Sequence, residues 1–333
     1  MLRRGLVLAL LAAAALSSPA QAGGGAGSFE RYSFTNEQGT RTYKVYVPPS
    51  WHGQTLPLVV ELHGCSSDAD LESKASRLNE MAARRSVVIA YPEETGQGCW
   101  SWFNPDDQTR DAGEPAIIAG ITTAVQRRWH ADPQRTYIAG FSAGAGMAID
   151  MLTAYPDRYA AGLILAGCEY KGSTCFGNPG ALPPSVSGDL AYAQMGVHAR
   201  VVPLLVVDGD QDFVVPAENG TEITRAALRI GDRVEQAAGR AAPMSRHPAS
   251  TRTTKTASGV STDVMTYTDL RHCPLVEQWV IHGMGHQWPQ DPADANGLAY
   301  LNGPLNGPDL AGGAMTWFLH HPMPSTTRGC SRS

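Results

Sequence analysis

The chain has 333 residues, 43% of them apolar and 17% charged, with a net charge of −5 and both signs interspersed. That length can bury a sizeable core, and the absence of a basic stripe argues against a nucleic-acid partner. Past residue 22 no uncharged run is long enough to cross a bilayer, so no membrane span is expected.

The first residues read as an export signal. Arg3 and Arg4 form a positive start, Leu6 to Leu16 an apolar stretch, and Ala20-Gln21-Ala22 a small-residue cleavage site. The expected mature protein is therefore a single domain over 23–333, secreted to the periplasm or outside the cell. Six cysteines suit that compartment and allow fifteen pairings. Cys168 and Cys175 can close a small loop, and Cys65 and Cys99 both follow strand-like runs and can meet at one sheet edge. Cys273 and Cys330 remain as a third pair, with free buried thiols as the alternative.

In chain order, Glu30–Phe34 and Thr40–Val47 alternate polar and apolar around Asn36-Glu37-Gln38-Gly39, which predicts a hairpin. Leu56 to Leu62 is nearly all apolar, as expected of a strand covered on both faces, and runs into His63-Gly64-Cys65. Leu71, Ala75, Leu78 and Ala82 recur at helical spacing behind Asp68 and Asp70. Val87–Ala90 predicts a buried strand, and Pro115 opens a helix striped by Ile117, Ile121 and Val125. Thr136–Phe141 predicts a strand and Ala145–Leu152 a helix. Leu163–Ala166 and Leu204–Val207 read as strands, with Gly172 to Pro184 a loop or small cap. Residues 238–254 read as an exposed insertion, Val264–Thr268 and Val276–Ile281 as late strands, and Asp309–His320 as a closing helix. Strand and helix alternate, so the expected class is α/β: a mostly parallel central sheet with helices on both faces.

Between the Thr136 strand and its helix stands Gly140-Phe141-Ser142-Ala143-Gly144. A serine hydroxyl is a weak nucleophile alone, so a catalytic reading needs a base, an orienting acid and an oxyanion hole. Asp208, Asp210 and Asp212 follow a buried strand, and Asp212, deepest in the turn before Val214-Val215-Pro216, is the preferred acid over Asp210. His286, past the glycines of His282-Gly283-Met284-Gly285, is preferred as base over His282. The order Ser142, Asp212, His286 is the one α/β-hydrolases use. The expected oxyanion donors are the backbone amides of Ala143 and Cys65, with His63 bracing the loop. Trp288, Trp100, Trp102 and Phe141 are candidates to line a substrate groove. No histidines stand at metal-ligand spacing, and no metal or cofactor is expected.

Six pieces together resemble the secreted esterases of the polyhydroxybutyrate depolymerase family, related to bacterial feruloyl esterases. They are Leu62-His63-Gly64-Cys65, Cys99-Trp100-Ser101-Trp102-Phe103, Gly113-Glu114-Pro115-Ala116, Gly140-Phe141-Ser142-Ala143-Gly144, Gly209-Asp210-Gln211-Asp212 and Gly283-Met284-Gly285-His286-Gln287-Trp288-Pro289. The resemblance implies an α/β-hydrolase fold, a triad of Ser142, Asp212 and His286, a hole formed by the Cys65 and Ala143 amides, and a Cys65–Cys99 bridge. Two features depart from the family: Asp208 stands where it has histidine, and 238–254 has no counterpart. The chain also ends at the closing helix and a short tail, where multi-domain depolymerases carry a polymer-binding domain; this leaves small or soluble esters open. The expected function is a serine esterase that cleaves polymeric or oligomeric polyhydroxybutyrate or short-chain hydroxyalkanoate esters through an acyl-enzyme, as a monomer. The alternatives are a feruloyl or acetyl-xylan esterase and, in another class, a non-catalytic binding protein on the same fold.

Overall fold

β-Branched and apolar runs supply the strands: β1 (Ser28–Asn36), β2 (Gly39–Val47), β3 (Leu56–Leu62), β4 (Val88–Pro92), β5 (Ala131–Phe141), β6 (Gly162–Leu165), β7 (Leu204–Gly209), β8 (Ser250–Lys255), β9 (Ser261–Thr268) and β10 (Pro274–Ile281). The helices are α1 (Ala69–Ser76), α2 (Leu78–Arg85), α3 (Gly113–Trp129), α4 (Ala143–Ala154), α5 (Pro184–Met195), α6 (Glu218–Ala237) and α7 (Leu310–His320). The computed structural model describes residues 27–94, 96, 98–172, 175, 182–240, 242–289 and 306–323. The expected export signal and Cys330 lie outside them.

All ten strands join one sheet in the order β1-β2-β4-β3-β5-β6-β7-β10-β9-β8. The six from β4 to β10 run parallel, flanked by antiparallel pairs at each end. Every residue of β3, β4, β6 and β7 is buried, as a sheet covered on both faces requires. One cover contains α2 packed on α7; the other is the series α3, α4, α5 and α6, each against the next. The parallel strands all deliver their carboxyl ends to one rim, where loops from different strands can converge.

Three expectations change. The helical stripe from Leu71 to Ala82 is two helices, because Arg77 adopts φ 55°, ψ 18° and turns the chain between α1 and α2. Helices α5 and α6 have no counterpart among the predicted elements, although α6 carries Ile223, Ala226, Ala227, Ile230 and Val234 at helical spacing. Within 238–254 the second half is not an insertion from the sheet but its edge: Ser250–Lys255 pairs with β9 and exposes all six residues. Its first half is partly anchored, since Met244 is buried and its amide donates to Asp232 Oδ1 at 2.7 Å.

Disulfides join Cys65 to Cys99, tying the loop after β3 to the loop after β4, and Cys168 to Cys175 after β6. Cys273 is also disulfide-bonded. Among the described residues no helix is long and apolar enough to cross a membrane.

Candidate active site

Ser142 sits between β5 and α4 at φ 55°, ψ −121°, a conformation that costs a non-glycine residue about 1–3 kcal/mol. Two glycines make the elbow possible. A Cβ on Gly140 would lie 2.2 Å from the Gly144 carbonyl oxygen, and one on Gly144 would lie 2.0 Å from the Leu62 carbonyl oxygen. The motif is therefore a packing requirement as much as a signature: α4 must start hard against both β5 and β3.

The loop after β7 brings Asp212, and the turn after β10 brings His286. His286 Nε2 is 2.8 Å from Ser142 Oγ, and His286 Nδ1 is 2.7 Å from Asp212 Oδ2. Asp212 Oδ1 accepts the Val214 and Val215 amides at 2.9 and 2.8 Å, which leaves Oδ2 aimed at the imidazole. A carboxylate only accepts, so Nδ1 carries the proton and Nε2 faces the serine hydroxyl as an acceptor. All three side chains are nearly enclosed, with 8% of Ser142, 6% of Asp212 and 4% of His286 exposed. The Phe141 ring packs on the imidazole at 4.8 Å between centroids.

The two loops are stitched together by the Asp210 amide on the Ile281 carbonyl and the Gln211 amide on the Met284 carbonyl, at 3.2 and 3.0 Å. Asp210 and His282 do not join the serine. His282 Nδ1 meets Asp210 Oδ2 at 2.8 Å and its Nε2 meets Asp263 Oδ2 at 3.0 Å, on the exposed side of the same turn. These two carboxylates raise the His282 pKa above its ordinary 6.5.

On the other side of Ser142 runs the loop after β3. A Cβ on Gly64 would lie 3.5 Å from Ser142 Cβ. The buried His63 ring accepts the Glu94 amide on Nε2 at 2.9 Å, so its Nδ1 holds the proton and donates it to the Gly64 carbonyl at 2.7 Å. In a trans peptide the N–H points opposite to the C=O, so this bond turns the Cys65 amide away from His63. Burial lowers the His63 pKa, which keeps the ring neutral in this bracing role. The Cys65–Cys99 bridge, the Ser66 amide on the Gly98 carbonyl (2.6 Å) and the Trp100 indole on the His63 carbonyl (3.0 Å) fix the loop further. Among the described residues neither the Cys65 nor the Ala143 amide finds a hydrogen-bond partner.

The aromatic candidates for a groove lie beneath the site instead. Trp100 and Trp288 are 0% and 1% exposed, Trp102 2% and Phe141 3%. Trp102 packs over Gly146 of α4, and the Trp288 indole donates to Glu72. Burial of this degree gives them a supporting place, not one on an open surface. Two aromatic side chains next to these motifs are well exposed instead: Phe103, within the Cys-Trp-x-Trp-Phe run, and Phe213, next to Asp212, at 50% and 65%. Sequence adjacency to the two motifs is the signal that marks them. No cluster among the described residues is arranged to hold a metal ion.

With this geometry in place, the chain can be compared with known proteins. The family model for esterase PHB depolymerase matches residues 41–250, more than half of the chain. The poly(3-hydroxyalkanoate) depolymerase C of Paucimonas lemoignei is 29% identical over 256 residues, covering 73% of this chain and 58% of that one. The acetylxylan esterase A of Aspergillus oryzae is 26% identical over 172 residues, covering 51% and 55%. The chain thus spans somewhat over half the length of these curated relatives. The acetyl xylan esterase of Aspergillus awamori shares the fold with a TM-score of 0.65 at 19% identity, over 78% of this chain and 94% of that one. The LpqC poly(3-hydroxybutyrate) depolymerase of Bordetella parapertussis aligns with a TM-score of 0.50 at 15% identity, over 90% and 93%. The fold is that of the α/β-hydrolase esterases, and by the extent of the family match the chain belongs to the esterase PHB depolymerase family.

Proposed function

We propose that the protein is an exported serine carboxylic-ester hydrolase that works through an acyl-enzyme on polyhydroxybutyrate or short-chain hydroxyalkanoate esters. The observation that carries the reading is the unbroken relay Ser142–His286–Asp212, at 2.8 and 2.7 Å, beside two unpartnered backbone amides. As Ser142 Oγ attacks the ester carbonyl, its proton passes to His286 Nε2, and Asp212 holds the Nδ1 proton and steadies the imidazolium. The carbonyl oxygen becomes an oxyanion between the Cys65 and Ala143 amides, each contributing about 3 kcal/mol to the transition state. The alcohol leaves with the proton from Nε2, and water repeats the sequence to free the acid. Disulfides on both sides of the site support an oxidising destination.

Family membership and the depolymerase relative support the hydroxyalkanoate substrate, and the exposed Phe213, next to Asp212 in the chain, suits an aliphatic chain. A second reading, an acetyl-xylan or feruloyl esterase, is supported by relatives of those names. Turnover of amorphous polyhydroxybutyrate, a short-chain aliphatic ester, acetylated xylan and methyl ferulate by wild type and Ser142→Ala separates them. Cleavage confined to the plant-wall esters overturns the hydroxyalkanoate assignment. Failure of a fluorophosphonate to label Ser142 overturns the esterase and leaves a non-catalytic binding protein.

A further inference from the structure

Beneath the oxyanion loop lie two carboxyl groups that the reaction scheme does not use. Glu61, next to last in β3, is 0% exposed, and Glu72 of α1 is 1% exposed. Glu72 is the junction of three segments. Its Oε1 accepts the Trp288 indole at 2.8 Å, two residues beyond His286. Its Oε2 faces Ser67 Oγ at 3.4 Å, and the nearby Gly64 amide favours its charged form, so it reaches the loop on both sides of Cys65. One side chain therefore ties the segment that presents the Cys65 amide to the turn that presents His286.

Glu61 has no such anchorage. Neither of its oxygens has a hydrogen-bond partner of good geometry, and the group that acts on it is Glu72. No cation forms an ion pair with either acid among the described residues. From β4 the pair faces the phenol of Tyr91, from β5 the register partner of Glu61 is Ala139, and the histidine turn supplies the indole of Trp288. Two charged carboxylates cannot be kept together in such a dry place, whereas one proton between them resolves the repulsion. Burial pushes both acids up, and the neighbouring Glu72 charge pushes Glu61 further.

We propose that Glu61 and Glu72 share one proton and act as a positioning pair, keeping the Cys65 amide and the His286 ring in one frame. The proposal rests on the esterase reading above. With the proton in place, Glu72 is a carboxylate steadied by Trp288, Gly64, Ser67 and the Glu61 acid. When the proton leaves on the alkaline side, two like charges face each other and the frame that Glu72 holds is pushed apart.

The test is the pH profile of kcat and KM on a small soluble p-nitrophenyl ester for wild type, Glu61→Gln and Glu72→Gln. Wild type is expected to lose about tenfold in kcat on the alkaline side with little change in KM, the scale of a small misplacement of reacting groups. Glu61→Gln keeps a donor toward Glu72 but cannot ionise, so its alkaline limb disappears. Glu72→Gln leaves Glu61 with no like charge to face, so its alkaline limb disappears as well, on a kcat lowered at every pH by the loss of the Trp288 anchor. A purely structural role would lower the melting temperature of both variants without moving either limb. Profiles that superimpose on wild type overturn the proposal, as does a wild-type kcat that stays flat to about pH 10. If Glu61→Gln does not fold, Glu72→Gln and the wild-type profile decide. Absence of both turnover and fluorophosphonate labelling in wild type overturns the esterase reading, and this proposal with it; labelling and turnover with unmoved limbs overturn this proposal alone.

Discussion

Replacing Asp208 by asparagine should make the protein more stable as pH rises, relative to wild type. Asp208 lies in β7, four residues before Asp212; it is 0% exposed, and neither carboxyl oxygen has a hydrogen-bond partner. Its Oδ2 faces Gly220 of α6 so closely that a Cβ there would lie 1.7 Å away. Burial first, then the charges of Asp212 and Glu218, push the carboxyl well above its ordinary 3.8. Between 3.8 and the raised value the folded chain keeps a proton that the unfolded chain has released. The unfolded state then binds fewer protons, so stability falls with rising pH, by about 1.4 kcal/mol per unit for one full proton. Asparagine has nearly the same shape and cannot titrate. The stability of Asp208→Asn minus that of wild type should therefore grow by up to about 2.7 kcal/mol between pH 5 and 7. Other buried acids titrate in both proteins and cancel in the difference. An offset of about 1–3 kcal/mol, the same at every pH, is expected from amide donors without partners. Urea unfolding of both proteins at a series of pH values, with disulfides intact, measures it. Parallel curves would refute the reasoning, because they would mean that Asp208 is ionised in the fold.

Asp212→Asn should preserve the fold and lower kcat by about four orders of magnitude, since the amide reverses the preferred imidazole tautomer; ester kinetics check this. Gly144→Ala forces a Cβ to within 2.0 Å of the Leu62 carbonyl, so thermal unfolding should show a loss of about 3 kcal/mol, with slower labelling of Ser142. His282→Gln tests the clamp on the outer side of the turn. Because Asp210 and Asp263 raise the His282 pKa, its contribution is full below the ordinary 6.5 and is lost as pH rises through the folded value. The variant should therefore melt below wild type at pH 6 and converge with it at alkaline pH; a constant gap would show that the charge is not involved.

The chemistry was more legible than the packing. Ser142 could be found because the elbow admits little but glycine at 140 and 144, and a steric demand leaves a mark in the sequence. Position in the turn favours Asp212 over Asp210 and His286 over His282, and the hydrogen bonds to Ser142 run through that pair. The break at Arg77 carries no glycine or proline to announce it. Helix α6 was legible in Ile223, Ala226, Ala227, Ile230 and Val234, which recur at helical spacing between its glycines and Asp232. Burial of the tryptophans could not be read from their motifs, which look alike whether the rings face substrate or hold up the floor beneath it. Glu61 left one trace, an acid inside the otherwise apolar run from Leu56 to Leu62; its partner on α1 is visible only once the helix is docked.

An open sheet ends in two rims of unpaired amides and carbonyls, and such a rim is a template on which further chains can grow. Strand β8 closes one end of this sheet with Ser250-Thr251-Arg252-Thr253-Thr254-Lys255, a polar strip without a single large apolar side chain. A second copy approaching that rim would set Arg252 and Lys255 against their own kind, with no greasy surface to offset the repulsion. Without this strip, β9 would present Val264 and Tyr267, now buried, at the outermost position. Ser250–Lys255 thus puts a polar, charged strand at the outermost position, the kind of edge that discourages further strand pairing.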